Sequence, residues 1–119
     1  MIIGIPADIE DMNGPVSGSF GRAPYYFIYD EEMRSGHFVQ NTAATAQGGA
    51  GVKAAQILVD QKAEVVISPQ LGENAAMVLK DSNMDLFKSV DGSLMDNVLL
   101  FRDGKLEQLN DIHEGFHKH

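Results

Sequence analysis

The run Gln47-Gly48-Gly49-Ala50-Gly51-Val52-Lys53-Ala54-Ala55-Gln56 places three glycines directly ahead of a strong helix former. A glycine-rich turn that opens a helix leaves backbone N–H groups unpaired at the positive end of the helix dipole. Such a turn suits an anion or an anionic cofactor. It lacks the Gly-Lys-Ser/Thr ending of a P-loop and the third glycine of a dinucleotide fingerprint, so a nucleotide is not expected. The alternative is a turn whose glycines only permit tight packing of helix on sheet. Composition does not decide between the two. Arg22, in Ser17-Gly18-Ser19-Phe20-Gly21-Arg22-Ala23-Pro24, has a planar fork suited to a carboxylate or another oxyanion. Its other reading is a surface salt bridge with an acidic neighbour.

A second group of residues lies at the other end of the chain. His113-Glu114-Gly115-Phe116-His117 matches the H-E-x-x-H pattern of zinc hydrolases. On a helix, His113 and His117 would share one zinc or other divalent ion, with Glu114 as base and His119 at hand as a third ligand. Against this, the motif sits in the last seven residues, Gly115 weakens the helix, and no downstream segment supplies a third ligand. The alternatives are a flexible tail with modest transition-metal affinity and a merely solvated tail. His37 is read as structural. Asp8, Glu10 and Asp11 resemble the grouped carboxylates of a two-metal site, but they are read as loop solvation.

The chain that must position these groups has 119 residues, enough for one domain with one sizeable core. Nine basic residues face seventeen acidic ones, a formal net charge of -8. That argues against non-specific nucleic-acid or anionic-membrane binding. It also means that an anionic ligand must be held locally, against the overall field. There is no cysteine, which excludes disulfides, thiolate clusters and cysteine nucleophiles. The N-terminus reads at once as a strand, without a basic leader region, and no apolar run approaches the roughly 20 residues of a membrane span. A cytoplasmic protein is expected.

Ile2–Ile5 reads as a buried strand and residues 7–24 as a long loop of the kind that is often functional. Tyr25–Tyr29 and His37–Asn41 form an antiparallel hairpin. A helix runs from about Ala50 to Lys62, followed by a strand over Glu64–Ser68. A second helix covers Gly72–Asn83 and a final strand Asp85–Val90. Ser93 with Asp96 forms a capping box for a third helix, Leu94–Phe101, which Gly104 stops. Residues 105–119 read as a polar, His-containing tail, and residues 1–104 as the only domain. The elements make one mixed five-stranded sheet with helices on its faces. If the strands at Ile2–Ile5 and Glu64–Ser68 are neighbours, the loops after them line one crevice at the carboxyl ends of the strands.

Several segments together resemble the dinitrogenase iron–molybdenum cofactor biosynthesis family, the NifX-like and NifB C-terminal domains. They are Ile2-Ile3-Gly4-Ile5-Pro6, Ser19-Phe20-Gly21-Arg22-Ala23-Pro24, Gly48-Gly49-Ala50-Gly51-Val52-Lys53-Ala54-Ala55-Gln56, Val65-Val66-Ile67 and Gly72-Glu73-Asn74-Ala75. The resemblance implies a three-layer α/β/α, ribonuclease H-like fold, with sheet order 3-2-1-4-5 and strand 2 antiparallel. It implies a carrier rather than a catalyst, one that holds an iron–molybdenum or related metal–sulfur cluster or precursor and exchanges it with donor or acceptor proteins. The cofactor-binding residues it points to are Ser19, Phe20, Gly21, Arg22, Gln47, Gly48, Gly49, Ala50 and Gly51. Ser19 and Gln47 stand where many members have histidine, and serine and a glutamine amide are poor ligands for a soft metal. Binding would then rest on backbone N–H groups, Arg22 and polar contacts to sulfide or carboxylate. The alternatives are a zinc-dependent hydrolase using the C-terminal motif, and a regulatory domain that has lost its cofactor.

Overall fold

The computed structural model describes residues 1–110 and the backbone of Ile112–His113. In chain order the elements are β1 (Ile2–Ala7), β2 (Tyr25–Asp30), β3 (Ser35–Gln40), α1 (Ala50–Asp60), β4 (Val65–Ser68), β5 (Leu71–Gly72), α2 (Glu73–Asp81), β6 (Asp85–Lys88), α3 (Leu94–Arg102) and β7 (Ile112–His113). The main sheet has five strands in the order β3-β2-β1-β4-β6. β2 is antiparallel to both neighbours, whereas β1–β4 and β4–β6 are parallel. This is the expected order, with β6 as fifth strand because the two-residue β5, paired with β7, intervenes.

The sheet is covered on both faces, and strand alternation divides the core in two. Tyr26, Ile28 and Val66 point to the face where Ala54, Leu58, Ala75 and Leu79 of α1 and α2 pack. Ile3, Ile5, Phe27, Tyr29, Val65 and Ile67 point to the other, beneath Leu94 and Val98 of α3. Gly4 is the gap in that alternation. A Cβ there would lie 2.0 Å from Leu58 Cδ1, so the leucine occupies the space that any side chain on β1 would need.

Boundaries depart from expectation where non-glycine residues adopt left-handed backbone. α1 stops at Asp60 and α2 at Asp81, because Lys62 (φ 64) and Asn83 (φ 62) turn the chain. β3 begins at Ser35, after a turn closed by Arg34 at φ 54. β6 ends at Lys88 because the Val90 N–H is taken by Asn97 Oδ1 at 2.9 Å. At α3 the reading holds: Ser93 and Asp96 form the capping box. Its end is a Schellman closure, with Gly104 at φ 72 and the Gly104 and Lys105 N–H groups bonded to the Phe101 and Leu100 carbonyls.

Residues 105–110 lie within the expected tail, yet they pack along β6. The Lys88 N–H donates to Glu107 O at 2.8 Å and the Leu109 N–H to Leu86 O at 2.9 Å. Leu106 and Leu109 are buried, one against each core. Two apolar side chains in a polar stretch are enough to close that sheet edge. No helix among the described residues is long and apolar enough to cross a membrane.

Two stability changes follow. Gly4→Ala forces Leu58 out of place and is expected to cost about 1–3 kcal/mol in urea unfolding. Leu109→Ala is expected to cost about 2–5 kcal/mol, as for a core leucine, where a solvated tail would change stability by less than about 0.5 kcal/mol.

Candidate cofactor crevice

β1, β3 and β4 run parallel, so the segments that follow them, residues 8–24, 41–49 and 69–72, leave the same end of the sheet. The side-chain amide of Gln70, after β4, donates to Gly18 O at 3.1 Å. Gly21 lies so close to the start of α1 that a Cβ on it would sit 3.3 Å from Gly51 Cα. A Cβ on Gly51 would meet Ala75 Cβ at 3.5 Å. The Ser19–Arg22 segment, the first turn of α1 and the first turn of α2 therefore converge, as the sequence reading of one crevice requires.

The glycines of the turn divide by role. Gly51 permits close packing. Gly48 and Gly49 have no atom within 4 Å of a notional Cβ and face open space. Gly49 is the N-cap of α1 and takes φ 69, a left-handed conformation that glycine adopts without steric cost. Its carbonyl accepts from the Lys53 N–H at 3.0 Å, but no side chain caps the helix, and its first turn holds no acidic residue. Among the described residues, no acceptor bonds the N–H groups of Gly48, Gly49, Ala50, Gly51 or Val52. The N-cap of α2, Gly72, likewise offers no side-chain cap. At α3 the capping box takes the Ser93 and Asp96 N–H groups, and the Leu94 and Met95 N–H groups donate to Gly14 O at 3.0 Å and Met12 O at 3.1 Å.

The other expected residues fall into two groups. Ser19, Arg22 and Gln47 are exposed at the crevice, whereas Phe20 and Ala50 are buried. Phe20 is core, its ring 5.3 Å from that of Tyr26, and contributes its position rather than its surface. The Ser19 hydroxyl accepts from the Arg22 N–H at 3.1 Å and closes the loop on itself. For Arg22 the structure does not show the surface salt bridge. No carboxylate among the described residues pairs with it. Instead Nη1 donates to Ala44 O at 2.9 Å and Ala46 O at 2.8 Å, so one nitrogen of the fork is spent on the loop ahead of the glycines.

Two residues that hold this arrangement escaped the sequence reading. Asn41, 3% exposed, donates from Nδ2 to Gly21 O at 3.0 Å and Ala23 O at 2.8 Å, with a longer contact to the Tyr26 hydroxyl at 3.3 Å. Its Oδ1 accepts from the Ala43 N–H at 2.9 Å, an Asx turn. The Tyr26 hydroxyl donates to Phe20 O, and burial pushes its pKa well up, so it stays a donor. An asparagine at a strand end, two residues ahead of a small residue, was the available signal for the turn. Nothing in the aromatic run of β2 marked Tyr26 as polar.

The donor set is N–H groups, a guanidinium, hydroxyl and amide. That suits an acceptor-rich anion and not a metal held directly by protein ligands. No group of three or more His, Asp or Glu residues among the described residues is placed to hold a metal ion. His37 is exposed on β3. An open groove of about 430 Å³ lies beside the crevice, lined by Pro24, Tyr25, Gln40, Asn41, Thr42, Ala44 and Thr45, and includes none of the expected binding residues. Of the C-terminal motif, the backbone at His113 is extended and pairs with Gly72, not the helix from which an H-E-x-x-H motif presents both histidines. Glu114, His117 and His119 lie outside the described residues.

A family model described as dinitrogenase iron-molybdenum cofactor matches residues 1–104. The chain belongs to that family. Among solved structures, the chain is similar to the apo form of the orange protein from Desulfovibrio gigas, with TM-score 0.88 and 25% identity over 92% of this chain and 93% of that one. It is also similar to a Thermotoga protein provisionally named NifB, with TM-score 0.83 and 32% identity over 96% and 97% of the two chains. An uncharacterized protein of Methanocaldococcus jannaschii is 28% identical over 111 residues, 91% of each chain. The mixed α/β fold is thus that of the family.

Asn41→Ala would leave the Gly21 and Ala23 carbonyls and the Ala43 N–H without their partner. The expected loss is about 1–3 kcal/mol, read by thermal unfolding. A loss near zero would show that water replaces the amide.

Proposed function

We propose that this protein is a cytoplasmic, non-catalytic carrier of an anionic metal–sulfur cofactor or precursor in iron–molybdenum cofactor biosynthesis. It receives that cargo from a donor protein and passes it to an acceptor. The observation that carries this reading is the unpaired N–H series at Gly48–Val52, in open space at Gly48 and Gly49, on an uncapped, acid-free helix start, in a chain whose family is named for that cofactor. The first turn of α1 binds sulfide or carboxylate oxygens of the cargo through hydrogen bonds, aided by the helix dipole. Ser19, Gln47 and the remaining donors of Arg22 complete the wall. Phe20, Gly21, Ala50 and Gly51 give it its shape.

Holding cargo by hydrogen bonds and charge suits a carrier. Release then breaks no metal–protein bond, and the soft-metal ligands stay with the acceptor. The formal net charge of -8 opposes any anion at long range, so affinity must come from short, oriented donors.

The test is an anaerobic titration of the purified protein with isolated iron–molybdenum cofactor, followed by visible absorption. One saturable site is expected. Arg22→Ala should weaken it by about 10–100-fold, the range for a lost hydrogen bond to a charged group. A folded protein that takes up no cofactor would overturn the carrier reading.

A further inference from the structure

Six carbonyl oxygens of the loops around the crevice are bonded by side chains. Gln70 Nε2 donates to Gly18 O, the Tyr26 hydroxyl to Phe20 O, and Asn41 Nδ2 to Gly21 O and Ala23 O. Arg22 Nη1 donates to Ala44 O and Ala46 O. The N–H groups beside them at Gly48–Val52 have no acceptor among the described residues. A free carbonyl at this position would repel an acceptor-only ligand and attract a cation, and more strongly away from bulk water. Those six carbonyls are thus withheld from a ligand, while the N–H groups of the turn stay available.

Arg22 holds a special place among these donors. It alone carries a full charge, and it alone reaches from the loop after β1 to the stretch immediately ahead of the glycine turn. Ala44 and Ala46 flank Thr45, so a single nitrogen gathers two carbonyls and curls the chain before Gln47. The turn beyond has nothing packed against Gly48 or Gly49. Its geometry depends on what precedes it and on Gly51, which is fixed against Gly21 and Ala75.

We propose that Arg22 is the positioning residue of the crevice: by holding the Ala44 and Ala46 carbonyls it fixes the otherwise unpacked Gln47–Gly49 backbone and so aims its N–H groups at an anionic ligand. This deepens the carrier reading and rests on it for the cargo, but the positioning is measurable without cargo.

Backbone ¹⁵N relaxation of the cargo-free protein is the experiment, on wild type, Arg22→Lys and Arg22→Met. Wild type should show order parameters of about 0.85 across Gln47–Gly49, and Arg22→Met should fall below about 0.6 there, with the order of α3 unchanged. Arg22→Lys, which keeps a charged donor, should recover most of the order. Unchanged order in Arg22→Met overturns the proposal, and so does an equal loss in α3, which would mark a general stability role. If Arg22→Met does not fold, Arg22→Gln carries the same comparison. Failure of the wild type to take up cofactor would count against the carrier reading and would leave this result standing.

Discussion

The structure depends on how closely α1 lies on what is beneath it. Near its C-terminal end Leu58 fills the place where β1 would have a side chain, over Gly4. At its N-terminal end Gly51 rests on Gly21, backbone against backbone. A helix held at two points cannot rotate or slide without losing one of them. The direction of its first-turn N–H groups is therefore set by packing some distance from any ligand. The same two contacts explain why a loop from one strand and a turn from another end up as facing walls.

Much of this was legible in the residues. Apolar alternation, the hairpin and the Ser93–Asp96 box each state their structure locally, because the cause lies within a few residues. The glycine turn was legible as a helix start with free N–H groups, since that chemistry belongs to the backbone. The illegible parts have distant causes. Arg22 bonds carbonyls 22 and 24 residues away, and nothing near it in the chain names those partners. Asn41 looks like the end of a strand until the 20–23 loop is laid over it. Leu106 and Leu109 look too sparse to form an element, and they form none of any length; each fills one vacancy left by the sheet edge. The helix ends at Lys62 and Asn83 were missed because non-glycine residues took the left-handed turn.

Charge is arranged at two scales. The surface as a whole is acidic, which discourages nonspecific contact with nucleic acid and anionic lipid. At the crevice the balance is reversed by oriented dipoles and by Arg22, without any need for a basic protein. Oriented N–H groups act over a few ångströms and are little affected by salt, whereas the net charge acts at the length over which salt screens. Short-range attraction by oriented donors and long-range repulsion by net charge are thus separable properties, carried by different groups.

The covering of β6 by residues 106–109 has a consequence for synthesis on the ribosome. Those residues are made after every element of the main sheet, yet they supply the last hydrogen bonds to that edge. A nascent chain that has emerged only through α3 holds β1 to β6 with an unpaired edge strand, the state in which strands find wrong partners. The crevice elements, all upstream, can be in place before that edge is closed. The order of the chain lets the binding region form early, while protection from intermolecular pairing arrives late.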